Sequence, residues 1–221
     1  SWPVILKNNG YRTYMTGKWH INLPVDKLFD VVNNPKPGMP KDKGSEYNKQ
    51  LKLWENESNQ LEDLSDYMPI GYNRPINEND NSWRPDDSIF GGFWEGGKHW
   101  SEVIKDDAIE FINDSQNFQN PFFMYLAFNA PHDPRQAPKK FLNLYPIEKI
   151  SIPVNYSPAH PYMYEIGNGP GLRDEALAPY PRSKYSVKKH IQEYYAIISH
   201  LDEQVGKIIS HLENNKLLEN T

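Results

Sequence analysis

The chain of 221 residues contains no cysteine. A disulfide framework, a zinc site built from thiolates and a cysteine nucleophile are therefore excluded from it. No apolar run reaches the roughly 18 residues that a membrane-spanning helix needs, and the mean hydropathy is low, at -0.79. The formal net charge of -5 provides no general positive field for nucleic-acid phosphates. We therefore expect no membrane span and no nucleic-acid partner.

What the chain does contain is a cationic segment directly after a β-prone run. Residues 4–9 have the pattern of the end of an amphipathic helix that Gly10 stops, and residues 12–16 have the pattern of a strand. Gly-Lys-Trp-His follows at residues 17–20. Catalytic groups of α/β proteins collect at the carboxyl edge of a parallel sheet, so this order predicts Lys18 and His20 at that edge.

A second segment of the same kind lies far downstream. Residues 121–128 form a near-continuous apolar run, which is typical of a parallel strand buried on both faces. Asn-Ala-Pro-His-Asp-Pro-Arg follows directly and brings His132, Asp133 and Arg135 to the end of this predicted strand. The two strands then belong to one α/β alternation.

Amphipathic helices and a long insert complete the predicted organisation. Apolar residues at three-and-four spacing predict helices at about 101–113, with its first serine as cap, and at 187–214, and a helical turn is expected at 139–145. Residues 22–98 are rich in proline, asparagine and aspartate. This composition predicts a long irregular insert with a short helix around 47–57. Its tryptophans favour an ordered insert, because disordered segments are poor in aromatic residues.

A glycine-flanked cluster of aromatic and basic residues ends the insert at residues 91–100. In it, Trp94, Lys98 and His99 are candidates for one wall of a sugar-binding cleft, because exposed aromatic rings stack on sugar faces. Segments of glycine and aromatic residues also pack loops onto a sheet, and this alternative stays open.

The chemistry of Lys18, His20 and His132 suits the binding and cleavage of a tetrahedral oxyanion ester. A lysine supplies fixed positive charge, and histidines titrate close enough to neutral pH to act as base or acid. Asp133 and Arg135 flank His132 and are candidates to contact the substrate beyond the oxyanion, where Arg135 can offer a planar fork to another anionic group; a local salt bridge in the loop is an equal alternative. A zinc site at the two histidines is disfavoured, because no His-x-x-x-His or His-Glu-x-x-His spacing is present.

Four segments, in this order, resemble the sulfatases of the alkaline-phosphatase-like superfamily. They are Gly-Tyr-Arg-Thr at 10–13, Gly-Lys-Trp-His at 17–20, Pro-His-Asp-Pro at 131–134, and Tyr-Tyr-Ala at 194–196 with Leu-Asp-Glu-Gln-Val-Gly at 201–206. The resemblance implies an α/β fold with a mixed, mostly parallel sheet flanked by helices. It also implies that Lys18 binds the sulfate and the nucleophile, that His20 hydrogen-bonds this nucleophile, and that His132 contacts the sulfate and the leaving oxygen.

The resemblance also shows what the sequence lacks. The family's nucleophile is a formylglycine made from the Cys or Ser of a Cys/Ser-x-Pro-x-Arg motif, which is absent here. The family's calcium-binding aspartates and its later Ser-Asp-His/Asn-Gly segment are absent too. We therefore expect residues 1–221 to be part of one sulfatase catalytic domain, truncated at both ends, whose calcium and formylglycine belong to the parent protein. Alone, the chain is expected not to turn over substrate.

The expected activity of the parent protein is hydrolysis of a sulfate monoester, on a carbohydrate or another small organic sulfate. A phosphonate or phosphate monoester hydrolase of the same superfamily is one alternative, because tetrahedral oxyanions require similar binding sites. A non-catalytic carbohydrate-binding paralogue is the other. Export is common in the family, and the resemblance therefore implies a periplasmic or secreted protein. No oligomeric state is predicted.

Overall fold

A computed structural model describes residues 1–38, 49, 52–53, 56, 75–168, 177–178 and 181–221. Its strands are β1 (Arg12–Lys18), β2 (Val31–Lys36), β3 (Trp94–Glu95), β4 (Lys98–His99) and β5 (Phe122–Ala127). Its helices are α1 (Trp2–Asn8), α2 (Trp100–Ser115), α3 (Lys139–Leu142) and α4 (Lys184–Asn214).

In the described part of the chain, β1 is the central strand of a three-stranded sheet with the order β2-β1-β5. Both pairings are parallel. Arg12 lies opposite Phe122 and Gly17 opposite Ala127, so β1 and β5 run side by side and end at the same edge. The predicted α/β architecture with parallel strands is therefore confirmed.

Strand β2 is a difference from the sequence prediction, which treated residues 22–98 as irregular. Its sequence is Val-Val-Asn-Asn-Pro-Lys, and Gly17 of β1 lies opposite Pro35. Among the described residues β2 is an edge strand, and an edge strand tolerates proline because one side of it forms no ladder. The short helix predicted around 47–57 lies almost wholly outside the described residues.

One face of the sheet packs on α2 and α4. The alternate β5 side chains Phe122, Met124 and Leu126 contact a buried cluster in which Ala108 and Ile112 of α2 meet residues of α4. The Tyr14 ring of β1 lies 5.0 Å from the Phe111 ring. Burial of this apolar face supplies the main driving force for docking the two helices.

Both helices occupy the predicted segments, but the predicted serine cap of α2 is wrong. His99 is the N-cap residue, and its Nδ1 accepts a hydrogen bond from the backbone N–H of Ser101 at 3.2 Å. Ser101 already lies in the first turn. In α4 the cap is Ser183, whose side chain accepts from the backbone N–H of Ser186.

The opposite face of the sheet carries a cluster of aromatic rings. Trp2 of α1 stands edge-on to Phe123 at 4.6 Å, and Trp19 stands edge-on to Phe29 at 5.9 Å. The Tyr125 ring is stacked against Phe29 at 6.3 Å. These contacts attach α1 and the segment after β1 to the sheet. No described helix is both long and apolar enough to cross a membrane.

Candidate active site

Lys18 and His20 stand at the carboxyl edge of β1. Lys18 is the last residue of the strand, and His20 is exposed two residues later. Between them, Trp19 is anchored: its backbone N–H donates to the Lys36 carbonyl at 2.8 Å, and its indole N–H donates to the Leu23 carbonyl at 2.9 Å. The side chains of Lys18 and His20 have no hydrogen-bond or ion-pair partner among the described residues.

A hollow of about 490 Å³ opens beside this segment. It is lined by Lys18, Trp19, His20 and Ile21 on one side and by residues 125–128 on the other. The cationic end of β1 therefore faces the end of β5 across an open space.

The close approach of β1 to β5 at this edge depends on Gly17. Its φ of +94° is disfavoured for other residues, and a Cβ at this position would lie 2.2 Å from the Ala127 carbonyl oxygen. The pairing with β2 is also irregular here, with a register shift between Thr16 and Gly17. The pairing of Thr16 with Asn33 and of Gly17 with Pro35 leaves Asn34 of β2 as the extra residue, and a bulge of this kind bends the strand that contains it.

A buried carboxylate on α2 holds this bulge. Asp107 accepts hydrogen bonds from the Thr16 hydroxyl and from the Asn34 side-chain amide, the latter at 3.0 and 3.1 Å. Sequence reasoning missed this role. The sequence does contain a signal for it, because Asp107 lies on the same helix face as the apolar residues Ile104 and Phe111. A charged side chain on a buried face needs hydrogen-bonding or charged partners.

His132 lies in the loop after β5, residues 129–136, which we call the His132 loop. The His132 backbone N–H donates to the Asn129 carbonyl at 3.0 Å. The Nδ1 atom of the ring lies 2.8 Å from the Asp133 carbonyl oxygen and 3.1 Å from an Asp133 carboxylate oxygen. Both neighbours are acceptors, so Nδ1 carries a proton and Nε2 is the nitrogen left to a ligand.

Asp133 and Arg135 border a second, larger hollow of about 810 Å³ against α4. One guanidinium N–H of Arg135 donates to His190 Nδ1 at 3.0 Å, and the guanidinium carbon lies 5.5 Å from the centre of the Tyr194 ring. Arg135 therefore uses His190 as its partner, in place of the salt bridge with Asp133 that was the alternative.

The structure corrects the expectation of a sugar-stacking wall at Trp94 and His99. Trp94 is 7% exposed, with its indole N–H donating to the Pro85 carbonyl, and His99 is fully buried. Lys98 is exposed and pairs with Asp106. Both rings are buried and neither is exposed for stacking on a sugar face; the segment packs against the loop that ends at Gln136, in line with the packing alternative.

His99 lies in a buried polar cluster. Its Nε2–H donates to the Gln136 carbonyl at 2.9 Å, and its ring is edge-on to His200 at 4.4 Å. Burial lowers the pKa of His99 from 6.5 to about 3, and the nearby His200 acts in the same direction. The pKa of His200 is also lowered by burial, although Glu102 at 3.2 Å opposes that shift. Both rings are therefore neutral near pH 7.

Comparison with known proteins decides the family. The Sulfatase family model matches residues 1–221. The chain belongs to the sulfatase family. A sulfatase from Formosa agariphila is 26% identical over 231 residues, which cover 99% of this chain and 39% of the relative. The iduronate 2-sulfatase of Mus musculus is 32% identical over 129 residues, which cover 52% of this chain and 23% of that protein.

Solved structures share the fold, which is alkaline-phosphatase-like. A Bacteroides fragilis structure described as a sulfatase has a TM-score of 0.50 at 21% identity, with coverage of 100% of this chain and 41% of that chain. A structure in complex with its substrate D-glucosamine-2-N,6-O-disulfate has a TM-score of 0.51 at 18% identity, with coverage of 100% and 48%. The sulfatase chain described here thus spans less than half the length of these relatives.

Calcium and formylglycine are two groups typical of sulfatases, and neither has suitable residues in the described part of the chain. Within the described ranges, no cluster of three or more His, Asp or Glu side chains is arranged to hold a metal ion. The sequence has no cysteine and no serine in a Ser-x-Pro-x-Arg context from which a formylglycine would form. The described residues therefore do not fit a calcium site, and the sequence offers no such motif for a formylglycine.

Proposed function

We propose that the full-length protein hydrolyses sulfate monoesters on a saccharide, and that Lys18, His20 and His132 surround the sulfate. The observation that carries the proposal is the pairing of β1 with β5. The two strands run in parallel register to Gly17 and Ala127. The loops bearing the three side chains therefore start from adjacent points of one sheet edge, where α/β proteins bind ligands.

Each of the three residues has a role that follows from its chemistry. The Lys18 ammonium, which has no partner among the described residues, neutralises negative charge on the sulfuryl oxygens. His20 hydrogen-bonds the nucleophile. His132 holds a proton on Nδ1 against Asp133, so its Nε2 is available to the sulfate and, when protonated, donates to the departing oxygen.

Asp133 and Arg135 are proposed to contact the substrate beyond the sulfate. They border the larger hollow of about 810 Å³, which has the size of an ordinary ligand pocket. A guanidinium there suits a second anionic group on a sugar. The structure solved with D-glucosamine-2-N,6-O-disulfate, a sugar with two sulfate groups, supports this substrate class.

Calcium and formylglycine remain attributes that family membership suggests for the parent protein. The described residues provide neither group; of the three proposed roles, that of His20 depends on the nucleophile, whereas those of Lys18 and His132 concern the sulfate and the departing oxygen. Export to the periplasm or the medium is likewise part of the proposal, and cell fractionation followed by immunoblotting tests it.

The deciding experiment is a parallel assay of the full-length protein on a sulfate ester and the matching phosphate ester. We expect kcat/KM for the sulfate ester to be higher by at least about tenfold, which corresponds to about 1.4 kcal/mol. A preference for phosphate would favour the phosphomonoester hydrolase. Binding of a sulfated saccharide with no turnover of either ester would favour the non-catalytic paralogue.

A further inference from the structure

We infer that two adjacent residues, His99 and Trp100, are positioning residues that hold the two ends of the His132 loop. This inference rests on the proposed function, because the loop matters to turnover only if His132 faces the substrate. His99 is the last residue of β4 and Trp100 is the first residue of α2. The two residues that hold the loop ends are therefore adjacent in the chain, at the start of one helix.

Trp100 holds the first residue of the loop. Its indole N–H donates to the Asn129 side-chain carbonyl at 3.1 Å, and both residues are buried. The Asn129 amide group donates to the Gly38 carbonyl at 3.0 Å, and its backbone carbonyl accepts from the His132 N–H. Asn129 thus connects Trp100 directly to the residue whose ring is to be placed.

His99 holds the last residue of the loop. Its Nε2–H donates to the backbone carbonyl of Gln136, which is fully buried. The Gln136 side-chain oxygen in turn accepts from the Phe93 backbone N–H at 2.8 Å. The His99 ring, Gln136 and the Phe93 backbone are all buried, and their hydrogen bonds fix the C-terminal end of the loop.

The turn at residues 91–93 is shaped to receive this loop. A Cβ on Gly92 would lie 2.4 Å from the Gln136 side-chain oxygen and 2.7 Å from the Pro134 ring. Only a residue without a side chain permits this approach. The glycine-aromatic segment thus packs against the loop that carries His132.

The His99 ring serves two elements at once. While Nε2–H donates to the loop, Nδ1 accepts from the Ser101 N–H and caps α2. Only the neutral ring with its proton on Nε2 satisfies both contacts. Loop and helix are thereby joined through one imidazole, and α2 in turn packs on the sheet edge that bears Lys18.

A purely structural role and a positioning role predict different kinetics. Loss of stability alone lowers the amount of folded enzyme, whereas displacement of His132 lowers kcat of the folded enzyme. An error of about 1 Å in the placement of a catalytic group can lower turnover by about 100-fold. The test therefore separates kcat from folded fraction.

The experiment uses Trp100→Phe in the full-length protein, with Tyr14→Phe as the matched control. Trp100→Phe keeps an aromatic ring but removes the N–H that holds Asn129. Tyr14→Phe removes another buried donor, a hydroxyl that donates to Asp114 on the last turn of α2. We expect Trp100→Phe to lower kcat at least about tenfold with KM changed less than about threefold, and Tyr14→Phe to retain kcat. Equal kcat in the two variants would overturn the inference.

A second pair of variants tests the other end. His99→Gln keeps an N–H close to the position of Nε2, whereas His99→Leu has none. We expect His99→Gln to recover kcat at least about fivefold over His99→Leu, measured per folded molecule. If the leucine variant matches the glutamine variant, the contact to Gln136 does not position the loop.

The imidazole NMR signals of His132 give a readout that needs no turnover. Trp100→Phe is expected to shift or broaden these signals, and Tyr14→Phe to leave them unchanged. If the wild-type protein cleaves no sulfate ester, the proposed function fails while this arm still tests the loop contacts. Unchanged His132 signals in both variants would overturn the inference even in an active sulfatase.

Discussion

The segments that follow β1 and β5 start at one sheet edge but are built in opposite ways. After β1, only Trp19 is anchored, and the side chains of Lys18 and His20 have no partner among the described residues. The His132 loop is instead held at both ends by buried hydrogen bonds. Under the proposed function, this contrast means that the Lys18 charge is left open to an anion, whereas the backbone that carries His132 is held in place.

The largest effect is expected from Lys18→Ala. Removal of a charge-stabilising group typically lowers turnover by about 100- to 1,000-fold. Stability should hardly change, because the ammonium has no partner among the described residues. Steady-state kinetics and thermal melting of the full-length protein measure the two effects.

The control is Lys140→Ala, which removes an exposed lysine that pairs with Glu203 at 2.7 Å. It should leave kcat/KM unchanged and alter stability by at most about 1 kcal/mol. Retention of full kcat/KM in Lys18→Ala would remove this residue from the site.

Gly17→Ala breaks the geometry that brings the two segments together. The added Cβ meets the Ala127 carbonyl at 2.2 Å on a backbone with φ +94°. We expect a loss of about 3 kcal/mol in the free energy of unfolding, measured by urea denaturation. Gly10→Ala is the control, because its φ is +85° but nothing lies within 4 Å of the new Cβ. Its expected loss is only about 1 kcal/mol, and equal losses would refute the steric argument.

Asp107→Ala tests the buried support beneath Lys18. Two donors, on Thr16 and Asn34, lose a charged acceptor, and we expect a loss of about 2 kcal/mol in the free energy of unfolding. Its neighbour Asp106, which is itself exposed at the side chain, pairs only with Lys98 and Lys105 among the described residues. Asp106→Ala should therefore change stability by less than about 1 kcal/mol. The idea fails if chemical denaturation shows the two aspartates to be equivalent.

The smallest effect concerns pH. The pKa of His99 is about 3 in the folded protein against an ordinary 6.5. The unfolded chain therefore takes up a proton at His99 between these values and the folded chain does not, so the free energy of unfolding falls as pH decreases from 6.5 towards 3. One such group contributes at most about 1.4 kcal/mol per pH unit.

His99→Gln should flatten this dependence between pH 6.5 and 5, a range above the titration of most carboxylates. His200, whose pKa is also lowered by burial, leaves a remaining slope of the same sign. Replacement of the partly exposed His211 by Gln serves as the control. An unaltered slope in His99→Gln would show that this ring does not titrate on unfolding.

The sequence predicted those parts of the fold whose hydrophobic period is strong. The apolar run of β5 and the amphipathic patterns of α2 and α4 were placed to within a few residues. Strand β2 escaped prediction because Asn33, Asn34 and Pro35 are unfavourable in a strand and are tolerated only at an edge.

Of the candidate site, the sequence predicted only the residues that directly follow a predicted strand. Lys18 and His132 follow apolar runs, which assigned them to one edge. The burial of Trp94 and His99 was not predictable. In an irregular segment the sequence has no hydrophobic periodicity, so it does not indicate which aromatic side chains are buried and which are exposed. The contacts of His99 and Trp100 with Asn129 and Gln136 join residues 29 and 37 positions apart, and no local pattern encodes them.

The central claim is that the two segments serve one anion. Titration of inorganic sulfate into the full-length protein, observed through the imidazole NMR signals of His20 and His132, tests it most directly. The account predicts that both rings respond with a single common Kd and that Lys18→Ala abolishes both responses. A response of His20 with His132 unmoved, or two distinct Kd values, would contradict it.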